Sequence, residues 1–198
     1  MNIIIDKKKE NTKLPAVMRA ALRLFVKQGI DGTTIKDIAR EAGVAEGALY
    51  RHFKSKDDLA WHLFSAHLSQ FTAELMSKVF AEKGAKERIH KFVEESFAAY
   101  ESDPELYTYL ILHEHSELDK YAKEYAHPGN VVMRIIDEGQ KSGEIKAGEP
   151  YVLGSLFVGG VVLVAVVKMY GSIKENITNY TGYVADSLWA MLKSAERS

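Results

Sequence analysis

Cysteine is absent from this 198-residue chain, which excludes a disulfide framework, a thiolate metal site and a cysteine nucleophile. No nucleophile elbow, phosphate loop or paired His-Glu zinc motif appears, so the chain carries no signature of an enzyme. His113, Glu114, His115 and Glu117 lie close together, with His113 and Glu117 at helical i, i+4 spacing, yet two ligands do not make a metal site. Internal repeats, low-complexity stretches and convincing strand patterns are also missing. The N-terminal MNIII is too short an apolar run for a signal peptide, and Asp6 follows it directly.

Long apolar runs are limited to one. Residues 151–167, YVLGSLFVGGVVLVAVV, carry no charge and sit at the lower limit for crossing a bilayer. Three glycines, the preceding Glu149-Pro150 and the closing Lys168 favour a buried interface helix, which is also apolar all round. Basic surplus is confined to the start of the chain. Residues 1–56 hold twelve Lys and Arg against six Asp and Glu, a net of +6. The other 142 hold fourteen against twenty-one, a net of −7 within a total of −1. A basic head on an acidic body suits a polyanionic partner for the head alone. Lys7, Lys8 and Lys9 read either as an arm near phosphates or as a solvated tail.

What is present is concentrated in residues 33–56, TTIKDIAREAGVAEGALYRHFKSK. Thr34 and Asp37 form a capping box opening a short helix. Ile35, Ile38, Ala39 and Ala42 give it an inward face, and Gly43 supplies a left-handed close. Val44 plugs the corner; Ala48, Leu49 and Phe53 supply the inward side of a second helix. Upstream, Met18, Ala21, Leu22 and Phe25 form an i, i+3, i+4, i+7 stripe ending at Gly29. Downstream, Ser55 and Asp58 open a long helix at Lys56. Three helices of this order make a helix-turn-helix unit whose second helix fits the DNA major groove.

The order AALRLFVKQG, then TTIKDIAREAGV, then GALYRHFKSKDDL, resembles the tetracycline-repressor (TetR/AcrR) family of bacterial transcriptional regulators, densely over about residues 15–60. The resemblance implies an all-α homodimer with an N-terminal DNA-binding unit and a C-terminal half that binds an effector and dimerises. We expect nine or ten helices. The DNA-binding domain spans 10–70, with the helix-turn-helix at 34–53, and the effector-binding and dimerisation domain spans 71–198. Beyond residue 56 the helices predicted are 56–82, 86–101, 103–116, one from 118 interrupted at Pro128-Gly129, 130–141, 150–170 and 180–196.

Geometry and resemblance together nominate the DNA contacts. Ala45, Glu46, Gly47 and Ala48 lie at the end of the reading helix that faces base edges. Glu46 is either an acceptor for a cytosine amino group or a first-turn carboxylate favouring the helix dipole; the family is often basic here. Tyr50, His52 and Lys56 are phosphate contacts, with Thr33 or Thr34 placed beside them by the resemblance. Arg51 and Lys54 are outer contacts or a solvated face.

In the acidic half, Phe97, Tyr100, Tyr107, Tyr109, Phe157, Val161, Met169 and Tyr170 line an effector cavity or fill a core, with His113 a candidate polar partner. Gly154, Ser155, Val158, Val184, Leu188 and Met191 are the dimer candidates, with Gly159 and Gly160 also small enough for close approach, in a four-helix bundle made by the last two helices of each subunit. The alternative is that the glycine-rich helix is buried within one subunit, and both can hold for different faces. The expected function is a ligand-responsive cytoplasmic repressor. It binds a near-palindromic operator as a dimer and is released by a small lipophilic effector, without cofactor or metal. The alternative is a constitutive DNA-binding protein whose C-terminal half is only a dimerisation or partner-recruiting scaffold.

Overall fold

The computed structural model describes residues 13–111 and 125–195, and His113, His115 and the Lys7–Lys9 run lie outside them. Among the described residues the architecture is helical, with a single isolated antiparallel bridge between Ile145 and Lys193. Helix α1 (Leu14–Gln28) buries Val17, Ala20, Ala21, Leu22 and Phe25 and ends at Gly29, whose φ of 75° suits glycine. Helix α2 (Ile35–Ala42) is held at its start by reciprocal bonds: Thr34 Oγ1 accepts from the Asp37 N–H (3.1 Å) and Asp37 Oδ2 accepts from the Thr34 N–H (3.2 Å). It closes on left-handed Gly43. Helix α3 (Glu46–Tyr50) buries only Leu49. Helix α4 (Lys56–Val79) opens at Ser55, whose hydroxyl accepts from the Asp58 N–H, and stops three residues short of the expected Glu82.

The body comprises α5 (Ala85–Ser102), α6 (104–111), α7 (Pro128–Ser142), α8 (Pro150–Met169), a short 3-10 turn (Ile177–Tyr180) and α9 (Thr181–Leu192). Two further boundaries, both in the body, differ from expectation. Pro128 begins α7 instead of interrupting a helix, because a first-turn proline lacks only an N–H that would have no helical partner. Helix α9 ends at Leu192, not Glu196. There Lys146 donates its N–H to the Leu192 carbonyl and Ser194 donates to the Glu144 carbonyl, both at 2.9 Å, drawing the chain into an extended pairing.

Two apolar cores result. The head core gathers α1 to α3 and the first half of α4 through Leu59, Leu63, Phe64 and Leu68. The body core begins with Leu75 and Val79 on the same helix and takes in α5 and α7 to α9. Between them lies buried Thr72, whose hydroxyl donates to the Leu68 carbonyl at 2.7 Å.

Helix α6 also serves both cores. Tyr107 belongs to the body core, meeting Tyr100 edge-on at 5.6 Å between ring centroids. Tyr109, two residues on and thus about 200° around the helix, inserts into the head core. It stacks on Phe25 at 6.0 Å and donates its hydroxyl to the Ala60 carbonyl at 2.9 Å. The grouping of Tyr109 with the effector aromatics is therefore corrected: the chain's turn at Asp103-Pro104 carries it back to the head. Asp103 both accepts from the Leu106 N–H (3.1 Å) and pairs with Arg19 of α1 (2.8 Å), fixing the start of α6 against the head.

Candidate DNA-reading face and effector cluster

On the head, Ala45, Glu46 and Gly47 are exposed and Ala48 half-buried, so the first turn of α3 presents small side chains and one carboxylate outward. Tyr50 is 58 % exposed although aromatic, and Arg51, His52 and Lys54 are exposed beside it. Lys56 follows at the first turn of α4. Phe53 is buried and packs edge-on to His62 at 5.5 Å, a core role. Thr34 is exposed, and its hydroxyl lies 2.6 Å from Asp37 Oδ2; that contact, before the neighbouring Arg40, holds the Asp37 carboxyl below its ordinary range. Thr33 is a correction. It is buried to 1 % and donates its hydroxyl to the Gly29 carbonyl at 2.8 Å, which removes it from any phosphate.

In the body, Phe97, Tyr100, Tyr107, Phe157 and Val161 are all buried in one cluster, with Phe92 and Phe157 rings 5.0 Å apart. Burial, helped by the adjacent Glu101 charge, raises the Tyr100 hydroxyl above its ordinary pKa. Met169 is half-buried against this cluster, whereas Tyr170 is 80 % exposed and lines no interior. Two clefts lie elsewhere. One of about 590 Å³ is bordered by Gln140, Gly143, Ile145, Ala147, Gly148, Ser194 and Ala195; one of about 350 Å³ runs along Glu82, Lys86, His90 and Glu94.

The dimer candidates divide. Ser155 is exposed, and Val158 and Met191 are half-buried. Gly154, Val184 and Leu188 face their own subunit: a Cβ on Gly154 would stand 3.0 Å from Met133 Sδ, and the other two complete the body core. The outward stripe of α8 is instead Val152, Leu156, Gly159 and Leu163, continued by Tyr170, with Tyr183 of α9 77 % exposed. Its spacing of four, three and four was readable, but an apolar helix without a polar face gives no sign of which stripe points out.

Residues 17–63 match the profile of bacterial regulatory proteins of the tetR family. The chain is 27 % identical over 180 residues to the fatty acid metabolism regulator protein of Bacillus subtilis, covering 87 % of this chain and 86 % of that protein. It is 31 % identical over 91 residues to the transcriptional repressor KstR2 of Mycobacterium tuberculosis, covering 46 % of each. The fold matches the crystal structure of the regulator FadR from Bacillus subtilis in complex with stearoyl-CoA, with a TM-score of 0.78 and 23 % identity over 88 % of this chain and 97 % of that one.

Proposed function

We propose that the chain is a TetR-family transcriptional regulator, a cytoplasmic repressor that grips a near-palindromic operator as a homodimer and releases it on binding a long-chain acyl effector. The observation that carries this reading is α6, a helix with Tyr107 in the body core and Tyr109 in the head core. A ligand that enters among Phe97, Tyr100, Tyr107 and Phe157 must displace rings two residues away from the anchor of the reading unit. The effector class follows from the fatty acid regulator and the stearoyl-CoA complex among the similar proteins, and from a cluster of aromatic and aliphatic side chains suited to hold a hydrocarbon by burial.

Thr34, Tyr50, Arg51, His52 and Lys56 serve phosphates in this reading, and the small first turn of α3 enters the groove. Dimerisation uses the outward stripe of α8 with Tyr183 of α9. Each head alone offers a reading helix of five residues, so two heads about 34 to 36 Å apart, or a multiple of that, meet successive turns on one face of the duplex. The protein works by binding equilibria; no step of catalysis is assigned to it.

The test is reciprocal titration. Operator recovered from a random duplex pool is bound at fixed salt, and palmitoyl- or stearoyl-CoA is added. Release is expected, with operator weakening effector binding by the same factor, of order 1–3 kcal/mol in coupling. Acyl-CoA that binds equally with and without operator would overturn the effector assignment and favour the scaffold reading.

A further inference from the structure

Helix α3 carries two residues that no side-chain contact among the described residues accounts for. Gly47 sits in the first turn with helical rather than positive φ, and a Cβ built there meets no atom within 4 Å. Neither its conformation nor its packing among the described residues asks for glycine, although glycine destabilises a helix relative to alanine. Its neighbour Glu46 is exposed and has no hydrogen-bond or ion-pair partner among the described residues. Within the helix-turn-helix, Asp37 accepts from Thr34 and Arg40 and Glu41 stands 3.9 Å from Arg23, and the Asp58 carboxylate accepts from the Lys54 N–H; Asp31 and Asp57 are exposed like Glu46 but lie outside α3.

Brought against DNA, an unpaired carboxylate is repelled by phosphates unless a donor meets it. The major groove offers two such donors, the cytosine N4 amino and the adenine N6 amino. Adenine places the acceptor N7 beside its amino group, where a carboxylate, which only accepts, is repelled; an amide can satisfy both. Cytosine presents no acceptor of its own beside N4. We infer that Glu46 is a specificity-determining residue that accepts from the N4 amino group of a cytosine in each half-site, with Gly47 leaving the room that lets the helix backbone approach the groove. This rests on the DNA-binding reading above.

The experiment selects duplexes from a random pool with full-length wild type, Glu46→Gln and Glu46→Ala. Wild type is expected to enrich one cytosine per half-site. Glu46→Gln should move that position to adenine, because a carboxamide pairs with adenine N6 and N7. Glu46→Ala should level it, with a loss of roughly tenfold in discrimination at that base pair and the same slope of affinity against salt. As a second readout, N4-methylcytosine at the selected position should weaken wild type and leave Glu46→Ala unaffected. A consensus identical in all three proteins would overturn the inference while leaving DNA binding intact. Failure of the wild type to enrich any duplex would overturn the DNA-binding reading and this inference together.

Discussion

The head and the body use apolar residues in opposite ways. In the head, every large apolar side chain of α1 and α2 turns inward or lies half-buried, and the aromatic left most exposed is Tyr50, the last residue of α3. In the body, α8 has a mean hydropathy of 2.3 over its most apolar window, yet only 28 % of that window is buried. Val152, Leu156 and Leu163 face outward at 51 to 61 % exposure. The contrast of a closed core with an open one is what motivates the proposed partner of each unit. In the proposed reading the head offers polar and small groups to a charged polymer, and the body offers its exposed apolar stripe to a second copy of itself.

The sharpest way to break the comparison is at the residue the two units share. Tyr109→Ala removes a fully buried ring and should cost about 3–5 kcal/mol. Tyr109→Phe, which loses only the bond to the Ala60 carbonyl, should cost about 0.5–1.5 kcal/mol. Chemical denaturation measures both. Hydrogen exchange at Phe25 and Ala60 should rise in the alanine variant while the body core stays protected.

Adjacent glycines of α8 sharpen the same contrast. A Cβ on Gly160 would stand 2.9 Å from Leu188 Cδ2, the end of a side chain that can turn aside. In Gly160→Ala the repacking should therefore offset the helix gain within each subunit, a net change of less than about 1 kcal/mol whatever its oligomeric state. Gly159 has open space around it. Gly159→Ala should therefore stabilise the isolated helix by up to about 1 kcal/mol while weakening self-association at the outward stripe. Sedimentation at several concentrations separates the two effects, and unchanged self-association in Gly159→Ala would move the interface elsewhere.

On the head, Lys56→Ala should lower affinity for selected and scrambled duplexes alike and reduce the salt slope by about one unit. A changed base preference in that variant would contradict a phosphate role.

The smallest effect is one of pH. His67 of α4 is half-buried, and burial first lowers its pKa below 6.5, with Asp103 opposing and Arg19 assisting. A histidine with a depressed folded pKa takes up its proton less readily folded than unfolded. Its contribution is therefore present above about pH 6.5 and is lost as pH falls through the folded value. His67→Gln should flatten that part of a stability profile measured by urea melts.

The head was legible because its signals are local. The Thr34–Asp37 box, Gly43 and the Ser55 cap are each settled by residues within four positions of one another. The body was legible only as helices. Periodicity identifies a face but not which of two cores that face meets, so Tyr107 and Tyr109 read alike. Thr33 and Thr34 also read alike, and only the fold shows that one hydroxyl turns back to Gly29. In α8 the absence of a polar stripe removed the one marker that would have oriented Gly154 inward and Leu156 outward.

The seat of Tyr109 bears on modularity. Because α4 runs from one core into the other, an exchange of the head between bodies would place the cut along it. In this protein such a cut near residue 70 leaves the head without a ring that fills its interior, since that ring arrives from residue 109. A transplanted head would open a void against Phe25 unless its new host supplied an aromatic side chain at the matching place. The unit of exchange is thus a discontinuous one, residues of α1 to α4 together with the tip of α6, and a cassette designed on chain order alone would be made with a hole in it.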